Sequence, residues 1–406
     1  MSEKKAGLFL RIRRRLARMA CRLMGVEMAP PPKAPQHDWK SAAEAFVVEM
    51  IPLLLDAHAG DAEALTLPVD GRGFYCYKYQ TVRKALPMME FIDEPQSGDR
   101  CFFWGFGKSW NNVRAAELCL RRGCIPVLCE DGFLRSADTW ATTKYGPRYC
   151  HGCSVIFDSR GFYYDAMRTS TVELMLNDPN LVVTGEQRRE ARRLIDRIVS
   201  EKLTKYNHQP IFTPQVGRPG RRKVLVVDQS YGDFAIRRGW GSDKTFADML
   251  EDAKRENPDA DILVKTHPDT MTGKKAGYYD DVHEEEGVFR VTMPINPYSL
   301  MEVVDKVYVC STQLGFEALM AGKEVHVYGM PFYAGWGLTH DAQRKELRVN
   351  RRSLEEVFYI FYVLYTHWID IETGAPCSID RAIDNLLVLR AEYRAILARA
   401  AEEGKA

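Results

Sequence analysis

The sequence predicts an α/β fold with two Rossmann-like, doubly wound domains that face each other across a cleft. Short apolar segments alternate with amphipathic helical segments along most of the chain, a pattern typical of parallel sheets covered by helices. The chain has 406 residues, which suits two domains at the usual ~100–200 residues each. A Pro/Gly-rich break at residues 209–221 (QPIFTPQVGRPGR) divides the pattern and is the predicted linker.

The first predicted domain covers residues 38–208. A helix is predicted at residues 39–55, and a long polar helix at residues 186–206 closes the domain. Between them, a short apolar strand at 101–104 precedes an amphipathic helix at 112–122, and a second strand follows at 125–129. The strand-helix-strand order predicts parallel pairing of the two strands.

The second predicted domain covers residues 222–372 and opens with the apolar run KVLVVD, which predicts a buried strand at 223–228. The remaining apolar run, residues 357–369, is predicted to form a buried helix because it is too short to span a bilayer. A helical segment is predicted at 373–406. The other predicted elements of this domain are a helix at 244–256, strands at 261–266 and 306–310, a helix at 315–321 and a strand at 324–328.

The first 28 residues are predicted to form a basic amphipathic helix, followed by a Pro-rich linker at 29–37. Residues 4–22 contain eight Lys or Arg and no acidic residue. Such a helix suits an anionic membrane surface, and a solvated basic tail is the alternative. The apolar residues that would share one helix face are Leu8, Ile12, Leu16, Met19 and Leu23.

Composition excludes several classes of function. Apolar residues make up 46% and charged residues 27% of the chain, and the formal net charge of +1 offers no strong field for nucleic acid. Ten cysteines without a disulfide framework indicate a reducing, cytoplasmic compartment, and no signal peptide is expected. Cys150 and Cys153 form a lone CxxC without a second pair at zinc spacing, so no metal site is expected.

Candidate site residues follow the predicted strands, where ligands bind in open α/β sheets. Glu130 and Asp131 follow the strand at 125–129 and could deprotonate an acceptor hydroxyl, although a plain turn would use the same residues. Asp228 and Asp233 follow the strand at 223–228 and could supply a nucleophile or a base. Asp and Gly are also ordinary turn residues there.

Three further strand ends carry residues suited to binding an anion or a sugar. Lys265 and His267 lie two apart and would point to the same face of an extended strand, where they could hold a phosphate. At residues 311–317 hydroxyl groups precede a helix, which makes an anion site or an ordinary N-cap. The aromatic, Gly-rich segment 331–338 suits a sugar or base platform, with buried packing as the alternative.

Nine segments, in this order along the chain, resemble the KpsC/LipA family of capsule β-Kdo glycosyltransferases. The order and combination are specific to the family, although each segment alone is not. The resemblance runs from about residue 100 to 380 and covers one module, whereas family members typically carry two. The segments are EDGFLRS at 130–136, GFYYDA at 161–166, KLTKYN at 202–207, VLVVDQSYGD at 224–233, ENPDA at 256–260, VKTHPD at 264–269, GKKAGY at 273–278, STQLGFEAL at 311–319 and PFYAGWGLT at 331–339.

The resemblance implies a GT-B glycosyltransferase that transfers Kdo (3-deoxy-D-manno-oct-2-ulosonic acid) from CMP-β-Kdo with retention and needs no cofactor or metal. Asp233 would be the nucleophile, with Asp228 as the alternative, and Glu130 or Asp131 would assist the acceptor. His267 with Pro268 would form the CMP-binding motif. The other donor-binding candidates are Lys265, Ser311, Thr312 and Gln313 near the phosphate and Glu317 near the ribose.

The acceptor implied is a phosphatidylglycerol-type glycolipid, and the protein would act in the cytoplasm at the inner membrane, within a possible capsule assembly or export complex. Two alternatives remain open at this point. One keeps the fold and uses another CMP-linked nonulosonate or serves another surface polysaccharide. The other is a non-catalytic component of capsule assembly or export, for which nucleotide binding without turnover is expected.

Overall fold

The computed structural model describes residues 50–57, 74–75, 80–85, 91–92, 94–106, 110–139, 145–271, 273 and 275–402. The predicted basic helix at 1–28 and the Pro-rich linker at 29–37 lie outside the described residues. Of the helix predicted at 39–55, the described part is helical and extends to residue 57.

Eleven strands lie within the described ranges. They are β1 (Phe74–Tyr75), β2 (Arg100–Trp104), β3 (Ile125–Asp131), β4 (Ser154–Asp158), β5 (Arg222–Val227), β6 (Ala260–Lys265), β7 (Val288–Val291), β8 (Lys306–Val309), β9 (Glu324–Val327), β10 (His340–Asp341) and β11 (Thr366–Trp368).

Helices connect most of these strands. Besides residues 50–57, they are α1 (Gln80–Ala85), α2 (Trp110–Arg122), α3 (Thr171–Asn177), α4 (Gly185–Ser200), α5 (Phe234–Arg238), α6 (Asp243–Glu256), α7 (Pro268–Met271), α8 (Pro297–Met301), α9 (Leu314–Met320), α10 (Leu354–Phe358) and α11 (Ile379–Glu402). A 3₁₀-helix covers Pro147–Cys150, and a π-helix covers Tyr359–Tyr365.

The strands form two sheets. The first has the order β1-β2-β3-β4-β11, and its pairs β1–β2 and β2–β3 are parallel. The second has the order β10-β9-β8-β5-β6-β7, and all five of its pairs are parallel. In chain order this is the 3-2-1-4-5-6 arrangement of a Rossmann sheet, whose order reverses between β5 and β8. The structure therefore confirms the α/β fold with doubly wound parallel sheets.

The chain divides into two compact units. Among the described residues, the first contains those from 50 to 130 and 156–162, and the second contains those from 131 to 155 and from 163 to 402. The division passes through β3 and β4. The domain boundary at 209–221 stays a prediction, as does the arrangement of two domains about a cleft.

The second sheet is buried on both faces, as expected for parallel strands covered by helices. All six positions of β6 are buried. Val224 and Val226 of β5 belong to a core cluster with Phe246 and Met249 of α6. The continuous apolar run KVLVVD is the signal from which the sequence predicted a buried strand here.

The helix predicted at 186–206 is too long by six residues, because α4 ends at Ser200. Lys202 has a φ of 54°, in the left-handed region that terminates helices. The amide of Leu203 then donates to the Ile198 carbonyl at 2.9 Å, a bond that closes the last turn. Residues 204–206 therefore lie outside the helix.

The single helix predicted at 357–369 is wrong. The segment continues α10, passes through the π-helix and becomes strand β11 at Thr366. The hydroxyl of Thr366 donates to the Phe361 carbonyl at 2.8 Å and so caps the π-helix. Periodicity does not separate helix from strand in a short, uniformly apolar run.

Among the helices of the described ranges, none combines the length and the apolar character needed to cross a bilayer.

Candidate active site

A pocket lies at the carboxyl ends of β5, β6 and β8, where the order of the second sheet reverses. Every residue that lines it belongs to the second compact unit. This is the position at which open α/β sheets bind ligands. The lining residues are Thr204, Lys205, Tyr206, Gln209, Val227, Asp228, Lys265, Thr266, His267, Pro297, Thr312, Gln313, Leu314 and Glu317.

Lys265 and Glu317 are a buried pair of opposite charge in this pocket, 5% and 4% exposed. Burial lowers the pKa of Lys265 to about 8, and the neighbouring Glu317 opposes that shift. Burial raises the pKa of Glu317 to about 7, against a hydrogen bond from Gln313 and the charge of Lys265. Both groups thus change charge near neutral pH, which is common at sites that bind or transform charged ligands.

Gln313 connects the pocket to the segment after β3. Its amide Nε2 donates to the Glu317 carboxylate at 3.0 Å and to the Phe133 carbonyl at 2.8 Å. Gln313 is the N-cap of α9 but makes no side-chain cap bond. The side chain therefore orients Glu317.

Asp228 directly follows strand β5 and is 2% exposed. Its Oδ1 accepts from the amides of Gln229 at 2.8 Å and Tyr278 at 2.9 Å, whereas its buried Oδ2 has no hydrogen-bond partner among the described residues. Burial raises the pKa of Asp228 to about 6, although both amides lower it. A carboxyl group of this kind is suited to give or take a proton near neutral pH.

The backbone at Gly277 passes so close to the Asp228 carboxylate that only glycine fits there. A Cβ at that position would lie 2.2 Å from Oδ2 of Asp228. The GKKAGY segment therefore supports Asp228 through the Tyr278 amide, and the glycine at 277 leaves room for the carboxylate.

His267 follows β6 and lines the pocket beside Lys265. Its Nδ1 lies 3.0 Å from the Ser230 hydroxyl, which belongs to the segment after β5. Pro268 begins the four-residue helix α7, a first-turn position that suits proline because no amide hydrogen is needed there. His267 is thus placed by contacts from two neighbouring strand ends.

Asp233 is exposed and is the N-cap of α5. Its Oδ1 accepts from the Ala235 amide at 2.9 Å. Gly232 before it has a φ of +76°, a left-handed conformation that most residues adopt only at a cost. Asp233 is not among the pocket-lining residues, so the structure brings together Asp228, and not Asp233, with the predicted donor-binding residues.

Thr312 lines the pocket, whereas Ser311 does not. The Ser311 amide donates to Oε1 of Gln229 at 2.9 Å, and its hydroxyl donates to the Ala235 carbonyl at 3.2 Å. Ser311 therefore joins the ends of β5 and β8. The Tyr333 hydroxyl donates to the Thr312 carbonyl at 2.7 Å, so one aromatic residue of segment 331–339 supports the pocket from the protein interior.

Asp131 is buried and ion-paired with Arg135, with 2.8 Å between Oδ2 and Nε. The Arg135 guanidinium lies 5.6 Å from the ring centroid of Tyr206, which lines the pocket. The EDGFLRS segment therefore reaches the pocket region through Arg135 and through the Phe133 carbonyl. Glu130 is half-buried and is the last residue of the first unit's main segment.

Sequence reasoning assigned no chemical role to residues 204–206, although the KLTKYN segment was part of the resemblance. Because α4 ends at Ser200, residues 204–206 lie outside the helix and line the pocket. Asn207 fixes it, because its side-chain amide donates to the carbonyls of Thr204 at 2.9 Å and Ser136 at 3.0 Å. A polar segment directly after a predicted helix end was the available signal.

The CxxC segment is structural. Cys150 and Cys153 are both buried, and their thiols donate to the carbonyls of Thr139 and Leu134. Burial raises the pKa of Cys153, which disfavours the thiolate that metals require.

Comparisons with known proteins point in one direction. A family model described as "Capsule polysaccharide biosynthesis protein" matches residues 213–371. The capsule polysaccharide modification protein LipA of Neisseria meningitidis serogroup A is 34% identical over 314 residues, 75% of this chain and 43% of LipA. The lipopolysaccharide-processing protein LpsZ of Rhizobium meliloti is 32% identical over 286 residues, 70% of this chain and 63% of LpsZ. The chain therefore matches only part of the length of these relatives.

Two solved structures are also similar. The beta Kdo 2,4 transferase of Thermosulfurimonas dismutans KpsC has a TM-score of 0.68 and 34% identity, covering 77% of this chain and 97% of that one. The beta Kdo 2,7 transferase of the same KpsC has a TM-score of 0.58 and 24% identity, covering 79% and 100%. The second similarity supports the fold alone.

Proposed function

The chain belongs to the KpsC/LipA family of capsule polysaccharide biosynthesis proteins, and on this premise we propose that it is a retaining glycosyltransferase that moves Kdo from CMP-β-Kdo to a Kdo-bearing phosphatidylglycerol-type lipid. The observation that carries the proposal is the pocket at the reversal point of the second sheet. It gathers a carboxyl group, a cation and an imidazole that come from three separate segments: Asp228, Lys265 and His267.

The donor's nucleotide binds in this pocket. Lys265 and His267 hold the phosphate by charge and hydrogen bonding, and the Thr312 hydroxyl adds a further donor. Glu317, oriented by Gln313, accepts from the ribose hydroxyls. When the bond to the sugar breaks, additional negative charge develops on the phosphate of CMP. Lys265, His267 and Thr312 stabilise this charge and so lower the barrier to the departure of CMP.

Transfer proceeds by two displacements. In the first, a carboxylate oxygen of Asp233 bonds to the anomeric carbon of Kdo while the bond to the phosphate oxygen breaks and CMP leaves with the electron pair. In the second, the acceptor hydroxyl oxygen attacks the same carbon and releases Asp233. Asp131 or Glu130 takes the hydroxyl proton. Asp228 is the alternative nucleophile, since it already lies in the pocket with one oxygen unpaired among the described residues.

The acceptor and the cellular place belong to the same proposal. A glycolipid acceptor requires the enzyme to work at the inner face of the inner membrane, and the basic segment at residues 1–28 would hold it there. A contact with capsule assembly or export proteins is compatible with the same position.

The test is transfer by the purified full chain, followed by mass analysis of a synthetic β-Kdo glycolipid. CMP-Kdo and CMP-sialate are offered in parallel. We expect a mass increase of one Kdo only with CMP-Kdo. Transfer from CMP-sialate alone would move the assignment to another nonulosonate, and CMP binding without transfer from either donor would support a non-catalytic role.

A further inference from the structure

Three potential metal ligands meet at one edge of the second sheet, away from the residues that line the pocket. His326 on β9 and His340 on β10 are direct partners in the parallel register of these strands. Glu324 lies two residues before His326 on β9, so its side chain is on the same face of the sheet. The strand pairing therefore brings together two imidazoles and one carboxylate that are separated by up to sixteen residues in the sequence.

The ligand atoms of these three side chains all lie within 4.8 Å of one another. Nε2 of His326 is 2.8 Å and Nε2 of His340 is 3.8 Å from Oε1 of Glu324. The two imidazole rings are stacked, with 4.7 Å between their centroids. For zinc to bind, rotation of the side chains would have to bring one oxygen and two nitrogens to ~2.0–2.2 Å from the ion.

The site has a rigid and an adjustable part. His326 is 16% exposed, and its ring stacks on Tyr308 of β8 at 4.5 Å between centroids. His340 is 67% exposed, so its ring can turn toward an ion. This combination leaves one side of the cluster open to solvent, where water can complete a tetrahedral set.

Two charged neighbours also face the cluster. Lys306 of β8 places its Nζ 2.9 Å from Oε1 of Glu324, and Oε2 of Glu256 lies 3.8 Å from Nδ1 of His326. The ammonium competes with a metal for the Glu324 carboxylate. The Glu256 carboxylate favours a cation nearby and helps to orient the His326 ring, as outer carboxylates do at zinc sites.

We propose that Glu324, His326 and His340 form a zinc-binding site that links β9 to the short edge strand β10. Two imidazoles with a carboxylate suit Zn²⁺, whereas Mg²⁺ prefers oxygen ligands. The segment between the two strands, residues 328–339, includes the aromatic segment 331–339. The ion would therefore link the two ends of this connecting segment. The site lies outside the proposed transfer chemistry and does not depend on it.

The same ion would influence the pocket indirectly. Tyr333 within the connecting segment donates to the Thr312 carbonyl at 2.7 Å, and a Cβ on Gly315 would lie 2.1 Å from that hydroxyl. Helix α9 therefore begins against the connecting segment. Zinc should stabilise this part of the protein without touching the nucleotide.

The experiment uses the full chain, treated with a chelator and dialysed, and Zn²⁺ alone as the probe. Binding is measured by isothermal titration calorimetry, and thermal unfolding is followed with Zn²⁺ and with Mg²⁺. We expect one zinc site, a rise of ~2 °C or more in the unfolding temperature with Zn²⁺, and no change with Mg²⁺. His340→Ala should weaken zinc binding by about tenfold or more and abolish the temperature shift.

Two further variants make the outcome decisive. His283→Ala removes an exposed histidine elsewhere in the same unit and should leave zinc binding unchanged. Lys306→Gln removes the competing ammonium and should tighten zinc binding several-fold. Equal zinc affinity of the wild type and His340→Ala, with both proteins folded without metal, would overturn the proposal, as would weaker binding by folded Lys306→Gln.

Discussion

Because Lys265 is proposed to hold the phosphate of the donor, its pKa should make the affinity for CMP depend on pH. Burial lowers this pKa to about 8, and only the protonated ammonium attracts the phosphate. The protonated fraction falls from roughly 0.9 at pH 7 to roughly 0.1 at pH 9 for such a group. The Kd for CMP should therefore rise about tenfold between pH 7 and pH 9.

The assay is isothermal titration calorimetry with CMP from pH 7 to pH 9.5. Lys265→Arg is the matched control, because a guanidinium keeps its proton over this range. Glu317, with a pKa of about 7, also gains negative charge as the pH rises. Glu317→Gln removes this second titration. The variant should keep a pH dependence from Lys265 that is moved to lower pH, because Glu317 opposes the lowering of the Lys265 pKa.

The stability of the protein should respond to pH with the opposite sign. The pKa of Lys265 is lower in the folded chain than its ordinary value of 10.5, so between about pH 8 and 10.5 the unfolded chain binds more protons. The contribution of Lys265 to the unfolding free energy therefore rises with pH across this window. This contribution should be absent in Lys265→Met.

A Kd for CMP that does not change between pH 7 and pH 9 in the wild type would refute the placement of a buried, functional cation at Lys265.

Two further predictions concern carboxyl groups near the pocket. Gly277→Ala should displace the Asp228 carboxylate, because the added Cβ would lie 2.2 Å from Oδ2, and so tests Asp228 as the alternative nucleophile. With Asp233 as the nucleophile, kcat and the Kd for CMP should both change little. A fall in kcat at an unchanged Kd for CMP would contradict that assignment and move the role to Asp228. Asp131→Asn should lower the unfolding free energy by about 3 kcal/mol, because it leaves the buried Arg135 cation unpaired. Denaturant unfolding measures this loss, and adding Arg135→Met should recover part of it if the ion pair is its cause.

The regular part of the fold was predictable because its signals are local. The apolar strand at the start of the second sheet and the amphipathic helix that follows it are β5 and α6, within a few residues of their predicted bounds. Periodicity and helix-stop signals act over a few residues and need no knowledge of the tertiary structure.

The elements missed depend on tertiary contacts. Strand β11 forms where a cap by Thr366 ends the π-helix, and the early end of α4 rests on the left-handed conformation of Lys202. Strands β4 and β7 and the full extent of α11 had no separate prediction, although α11 lies within the helical segment predicted at 373–406. Short strands at sheet edges are specified by their neighbours as much as by their own residues.

The candidate site was predictable in part from the order of strands and helices. Strand ends in a parallel sheet converge, so Asp228, Lys265 and Glu317 were expected near one another, and the structure places all three in one pocket. The position of Asp233 outside the pocket lining depends on the helix that it caps. The zinc ligands come from a strand register that local patterns do not reveal.

The proposed nucleophile is tested by comparing transfer by the wild type, Asp233→Asn and Asp281→Asn, with CMP-Kdo and the synthetic β-Kdo glycolipid. Asp281 is an exposed aspartate in the same unit and serves as the control. We expect addition of one Kdo by the wild type and by Asp281→Asn, and none by a folded, CMP-binding Asp233→Asn. Full transfer by Asp233→Asn would contradict the proposed nucleophile, and no transfer by the wild type would contradict the proposed function.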